Sequence, residues 1–171
     1  MIAVYARSTK ENLTEEIQNL LLRLKAAGEG VIIYEPFYKF FKQGLGLNNE
    51  LQTFSTHKEL KKKVSCLLSL GGDGTLLETI ALVGDSGIPV LGINTGRLGF
   101  LANVSKEDIN KVLDALVNKK FTIDKRVLLK LETKNKLFGD VNFALNEITV
   151  MKKDPIMMTI HAYIDGEFLN S

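Results

Sequence analysis

The sequence has no tryptophan, one cysteine, two histidines and three prolines in 171 residues. A lone cysteine, Cys66, excludes an internal disulfide. Its place in an apolar run reads as a small buried hydrophobe in a reducing, cytoplasmic setting. His57 and His161 stand far apart without cysteine partners, which excludes the usual zinc spacings, and no residue is assigned as a metal ligand. No apolar run approaches the roughly 20 residues of a membrane-spanning helix, so no membrane partner is expected. The opening Met1-Ile2-Ala3-Val4-Tyr5-Ala6-Arg7 lacks a basic n-region and a cleavage pattern, and reads as a strand rather than a leader. The net charge of +2 is too small to argue for nucleic acid, and the basic run Lys61-Lys62-Lys63 reads as a solvated helix end.

What is present is an ordinary globular composition, 45% apolar and 25% charged, in a chain of one typical domain plus part of another. Ile2 to Tyr5 reads as a buried strand. Asn12 or Thr14 can cap a helix carrying Ile17, Leu20, Leu21 and Leu24 on one face, which Gly28 and Gly30 end. Val31-Ile32-Ile33-Tyr34 is a second strand, broken by Glu35-Pro36. The aromatic cluster Phe37, Tyr38, Phe40 and Phe41 reads as a short core helix or packed loop rather than a ligand platform. Gly44 to Thr56 is polar and glycine-bearing, and is expected to be a loop; His57 to Lys63 is expected to be a helix.

The next stretch organises the chain. The apolar run Val64 to Leu70 leads into Gly71-Gly72-Asp73-Gly74-Thr75, and an apolar helix follows from Thr75 to about Val83. Strand, glycine turn, helix is a phosphate-friendly pattern: glycines let a ligand approach the backbone, and the helix aims free N–H groups and its positive dipole end at the turn. Asp73 is out of place as a phosphate ligand. It suits a base for a hydroxyl, or a holder of a metal ion bridging to phosphate. Ile88 to Ile93 is another buried strand, and Asn94-Thr95-Gly96-Arg97-Leu98-Gly99-Phe100-Leu101 leaves it directly, as a site loop or a plain turn. Ser105 to Asp108 outlines a capping box before a helix with Ile109, Val112, Leu113 and Leu116 on one face. Continuously apolar strands alternating with helices predict an α/β, Rossmann-like fold: a mostly parallel sheet with helices on both faces and ligands at the carboxyl ends of its strands.

From Phe121 onward the helical periodicity stops. Val127 to Glu132, Phe143 to Leu145, Ile148 to Val150 and Met158 to Ile164 read as strands, and Asp165-Gly166 as a turn. This predicts an N-terminal α/β domain over 1–123 and the first strands of an all-β domain over 124–171, incomplete at Ser171.

Three motifs together resemble the NAD kinase family: Gly71-Gly72-Asp73-Gly74-Thr75, Gly92-Ile93-Asn94-Thr95-Gly96-Arg97-Leu98-Gly99-Phe100-Leu101, and Leu145-Asn146-Glu147. The first motif is shared with phosphofructokinases and lipid kinases; the second is the discriminating one. The resemblance implies transfer of the γ-phosphoryl group of ATP, or a phosphoryl group of polyphosphate in some members, to the 2′-hydroxyl of the adenosine ribose of NAD. It implies a base at Asp73, ribose contacts at Asn146 and Glu147, and Phe100 against the dinucleotide. The nucleotide-binding set it implies is Gly71, Gly72, Asp73, Gly74, Thr75, Asn94, Phe100, Asn146 and Glu147, with Mg²⁺ or another divalent cation as the expected cofactor and ATP as the expected phosphate donor. NAD and ATP are the implied partners, and a homo-oligomer the implied assembly. The competing readings are a lipid or sugar kinase of the wider glycine-aspartate superfamily, or a non-catalytic nucleotide-binding module. Because the family's later Thr/Gly/Ser-rich loop is not within these residues, the 171-residue piece alone is expected to have little or no kinase activity and exposed strand edges.

Overall fold

A computed structural model of the chain describes residues 1–7, 14–41, 51–60, 64–96 and 99–171. Asn12, residues 44–50, Lys61-Lys62-Lys63, Arg97 and Leu98, each part of an expectation above, lie outside the described residues. The strands β1 (Ile2–Ala6), β2 (Val31–Tyr34), β3 (Gln52–Phe54), β4 (Cys66–Leu70), β5 (Val90–Asn94) and β6 (Val104–Ser105) form one sheet in the order β3-β2-β1-β4-β5-β6. Every pairing in it is parallel. The helices are α1 (Thr14–Ala26), α2 (Glu35–Phe41), α3 (His57–Leu60), α4 (Asp73–Val83) and α5 (Ile109–Val117).

The alternation of side chains along the strands splits the core in two. On one face Ile2, Val4, Ile33, Leu68 and Ile93 pack with Ile17, Leu20 and Leu24 of α1, Phe37 of α2 and Leu113 of α5. On the other, Ala3, Tyr5, Ile32, Phe54 and Leu67 pack with Leu60 of α3 and Val83 of α4. Arg23 forks from α1 to α5, its guanidinium donating to Asn110 Oδ1 at 2.5 Å and Asp114 Oδ1 at 2.6 Å.

The chain steps outward from β1 to β3 with α1 and α2 on the first face. It then returns across the second face with α3 and resumes at β4 on the opposite side of β1. Crossovers of constant hand require this change of face when the direction reverses. The reversal leaves a topological switch point between β1 and β4, where open sheets leave a crevice at their carboxyl ends.

The sequence reading needs several corrections. Residues 52–54 are strand, not loop: β3 is an edge strand of three residues, fixed by pairing with Ile32 to Tyr34 and by one buried anchor, Phe54. So short a strand carries no readable periodicity. Glu35-Pro36 ends β2 as expected, and the same pair opens α2, since proline costs nothing in the first turn of a helix. The helix expected from Thr75 begins at Asp73, and Asn94 ends β5 instead of starting a loop.

After Phe121 the described strands are shorter than expected. β7 (Leu129–Lys130) pairs with β8 (Phe143–Ala144), and β9 (Ala162–Ile164) with β10 (Glu167–Asn170), both antiparallel. Ile148 to Val150 is not in a strand. Every buried residue lies at or before Leu113. This burial pattern predicts that Leu68→Ala lowers stability by about 2–5 kcal/mol. Val127→Ala, at 89% exposure, should stay within about 0.5 kcal/mol. Urea midpoints at constant slope measure both.

Candidate active site

Two loops meet where β4 and β5 end. The first is the glycine turn. Gly71 donates its N–H to the Ile93 carbonyl at 3.0 Å, which ties the turn to β5. Its φ is +154°, and a Cβ there would come within 2.7 Å of Thr75 Cβ and 3.0 Å of Thr75 Cγ2, so Thr75 closes over Gly71. Gly72 caps α4, and its carbonyl accepts the N–H groups of Thr75 at 3.0 Å and Leu76 at 3.2 Å. The N–H groups ahead of these, of Asp73 and Gly74, stand in the first turn, where a helix supplies no acceptor of its own.

The second loop runs from Asn94 to Ala102. Asn94 is buried, and its amide spans the loop: Oδ1 accepts the Gly96 N–H at 2.8 Å, and Nδ2 donates to the Ala102 carbonyl at 3.2 Å. A residue expected to face a ligand therefore commits these two atoms to shaping the loop.

Asp73 joins the two. Its Oδ2 accepts the Phe100 N–H at 2.8 Å, and its Oδ1 accepts those of Leu101 and Ala102, both at 2.9 Å. These N–H groups, of Ala102, Phe100 and Leu101, hold the carboxyl below its ordinary value, so the group is ionised at neutral pH. Three of roughly four acceptor positions on the carboxylate are filled, and the open one lies on Oδ2.

Two glycines without an assigned role in the sequence reading make this contact possible. A Cβ on Gly99 would sit 2.5 Å from Asp73 Cγ and 2.7 Å from Oδ2. A Cβ on Gly92 would sit 2.6 Å from Leu76 Cδ1 and 2.9 Å from Ala102 Cα. Bare backbone at both places lets the loop close onto α4. The only sequence signal for this was the glycine spacing of the second motif.

Phe100 stands 98% exposed directly beside the carboxylate it donates to. Asn146 and Glu147 follow β8 in an exposed turn, with Asn146 at φ +73° and the Glu147 N–H donated to the Leu145 carbonyl at 3.0 Å. The structure does not join this pair to Asp73 by any hydrogen bond or ion pair among the described residues. Phe143 of β8 lies at Gly84, the opposite end of α4 from Asp73. A cavity of about 670 Å³ opens at that far end, between Gly84 and Asp85 and the strand residues Lys130 and Phe143, and its lining includes none of the motif residues.

Among the described residues no three His, Cys, Asp or Glu side chains converge to hold a metal. Asp73 is the only carboxylate of the glycine turn, and its oxygens already accept three N–H groups. The donor set therefore does not fit a resident divalent ion. No helix among the described residues is long and apolar enough to cross a membrane.

The chain matches the model of the ATP-NAD kinase N-terminal domain over residues 2–121. It is 44% identical over 173 aligned residues to an NAD kinase of Flavobacterium psychrophilum, covering 99% of this chain and 59% of the relative. It is 42% identical to an NAD kinase of Cytophaga hutchinsonii, covering 100% of this chain and 59% of that one. The chain thus spans about three-fifths of the length of these curated relatives. Among solved structures it resembles yeast NADH kinase complexed with NADH, with a TM-score of 0.71 at 20% identity, over 99% of this chain and 53% of the other. At that identity the likeness bears on the fold.

Two outcomes follow from the carboxylate contact. A carboxyl held low stabilises the fold fully above the unfolded value of about 3.9, and that contribution fades as pH falls through the lower folded value. The urea midpoints of wild type and Asp73→Asn should therefore differ at pH 7, and the gap should narrow as pH falls below about 4. Gly99→Ala should cost about 1–3 kcal/mol by overpacking and raise amide exchange at Phe100 to Ala102. Gly96→Ala should change neither, since a Cβ there meets nothing nearer than Asn94 Oδ1 at 4.0 Å.

Proposed function

This chain belongs to the NAD kinase family, and from that membership we propose that the protein transfers the γ-phosphoryl group of ATP to the 2′-hydroxyl of the adenosine ribose of NAD. The observation that carries the proposal is the carboxylate of Asp73, fixed at the start of α4 where the two motif loops meet. A ribose hydroxyl needs a proton acceptor as it attacks phosphorus, and an aligned carboxylate supplies roughly 10²–10⁴-fold. The open position on Oδ2 is the one that takes the hydroxyl. O2′ attacks the γ-phosphorus, the bond to the β,γ-bridging oxygen breaks, ADP leaves, and the hydroxyl proton passes to Asp73. The turn at Gly71, Gly72, Gly74 and Thr75, with the N–H groups that open α4, receives phosphate oxygens.

Phe100, fully exposed beside the carboxylate, gives the dinucleotide an apolar surface to cover. Asn146 donates and accepts, Glu147 accepts, and the pair suits a ribose diol. We assign them to NAD on the family resemblance, with closure of the turn at 146–147 toward Asp73 as a requirement of that role. Among the described residues no three His, Cys, Asp or Glu side chains converge as a cage, so a divalent cation serving the reaction would be held chiefly by ATP and would neutralise phosphate charge.

We propose further that residues 124–171 begin the NAD-binding domain, in keeping with the confinement of the buried core to residues before it. The enzyme is proposed to be cytoplasmic and homo-oligomeric. The buried Cys66, whose thiol burial pushes up to about 11, suits a reducing compartment.

The test uses the full-length protein, with NADP formation followed by an NADP-specific dehydrogenase and with diacylglycerol and sugars as competing acceptors. NAD should be the acceptor. Asp73→Asn should lower kcat by at least 100-fold. Because it also sets an amide NH₂ against the Phe100 N–H, it should weaken dinucleotide binding as well. Turnover within tenfold of wild type would remove Asp73 as the base.

A further inference from the structure

The switch point between β1 and β4 is bounded on one side by the glycine turn. On the other stands Arg7, the first residue after β1. Ala6 is the register partner of Leu70, so Arg7 leaves the sheet beside Gly71. Its side chain is largely exposed, yet it is held. Arg7 Nη1 lies 3.0 Å from Glu78 Oε1. The other Glu78 oxygen, Oε2, accepts the Tyr5 hydroxyl at 2.9 Å. Tyr5 is buried in the sheet, against Tyr34 at a ring separation of 4.7 Å. Burial and the neighbouring Glu78 both push its hydroxyl upward, so it remains a donor.

The result is a relay from a buried ring to an exposed guanidinium: Tyr5, Glu78, Arg7. Both Glu78 oxygens are engaged, so the carboxylate cannot turn away. An ion pair between exposed groups would be worth little by itself. Here the hydroxyl of Tyr5 fixes Glu78, and Glu78 in turn holds the guanidinium of Arg7, which leaves the sheet beside Gly71. An arginine has five N–H donors in a planar fork. One faces Glu78, and the fork suits a phosphate held between two strands.

We infer that Arg7 binds the phosphate chain of the phosphoryl donor, with Glu78 and Tyr5 as the residues that position it. This rests on the kinase reading above and extends it to the donor. ATP and polyphosphate present the same phosphate chemistry to the fork. The N–H groups at the start of α4 take one side of that chain and Arg7 the other, across the switch point.

The experiment uses the full-length protein carrying Arg7→Ala, Arg7→Lys, Tyr5→Phe and Glu78→Gln. Arg7→Ala should raise the KM for ATP at least tenfold and leave the KM for NAD within twofold. Arg7→Lys keeps the charge without the fork and should recover part of the loss. Tyr5→Phe and Glu78→Gln should raise the same constant by a smaller factor. In direct binding by calorimetry, Arg7→Ala should weaken ATP and leave adenosine unchanged, and a parallel arm with polyphosphate separates the two donors. An unchanged KM and affinity for ATP and for polyphosphate in Arg7→Ala overturns the inference, as does an effect that falls on NAD. Failure of the wild type to phosphorylate NAD would instead overturn the kinase reading, while the comparison of ATP with adenosine still judges Arg7. A wild type that binds neither ATP nor polyphosphate overturns the inference too.

Discussion

The carboxylate of Asp73 is the joint on which the site depends. It reaches 27 to 29 residues along the chain to collect three successive N–H groups. An ionised acceptor facing three backbone donors is a strong arrangement, because each charge-assisted bond also fixes the orientation of the next peptide. The loop from 99 to 102 has no secondary structure of its own. It takes its shape from Asp73 on one side and from the Asn94 amide on the other. The exposed ring of Phe100 is presented by that scaffold rather than by packing of the ring itself.

The sheet makes the joint possible. β4 and β5 are adjacent and parallel, with Leu70 beside Ile93. Their following loops therefore leave the same edge side by side. Gly71 donates to the Ile93 carbonyl, so the turn after one strand is registered on the end of the next. Gly92 then admits both Leu76 of α4 and Ala102 of the returning loop to a space that a Cβ would occupy. Every step is a matter of close approach, and glycine stands at each of the three places where a side chain would intervene: 71, 92 and 99.

Much of this was legible in the sequence, and the reason differs from part to part. Ile32-Ile33 and Leu67-Leu68 lie in continuous apolar runs, which only a sheet covered on both faces explains, and the two-sided core follows. The glycine turn was legible because its residue types are punctuation with few other uses. The partners of Asp73 were not, because they are backbone N–H groups, which every residue but proline possesses. No side chain marks them. β3 was hidden for a similar reason: Gln52 and Thr53 are exposed, and pairing with β2, not pattern, makes them strand. The tie from Tyr5 to Glu78 spans 73 residues and joins a strand to a helix across one sheet face, a contact set by topology alone.

The proposed function asks the same carboxylate to hold a loop and to accept a proton, and the two demands pull against each other. Three N–H groups lower its affinity for a proton, which makes Asp73 a weaker base than a free carboxylate. Phosphoryl transfer tolerates this better than most reactions. Its transition state is loose, bond formation to the attacking oxygen lags, and the hydroxyl keeps its proton until late. What the chemistry needs early is an oxygen held in line with the phosphorus, and a rigid carboxylate with one open acceptor position supplies that. The hydrogen bonds that reduce the basicity of Asp73 are thus the ones that improve its aim. On this reading the turn trades proton affinity for alignment, a favourable exchange where positioning and charge neutralisation lower most of the barrier.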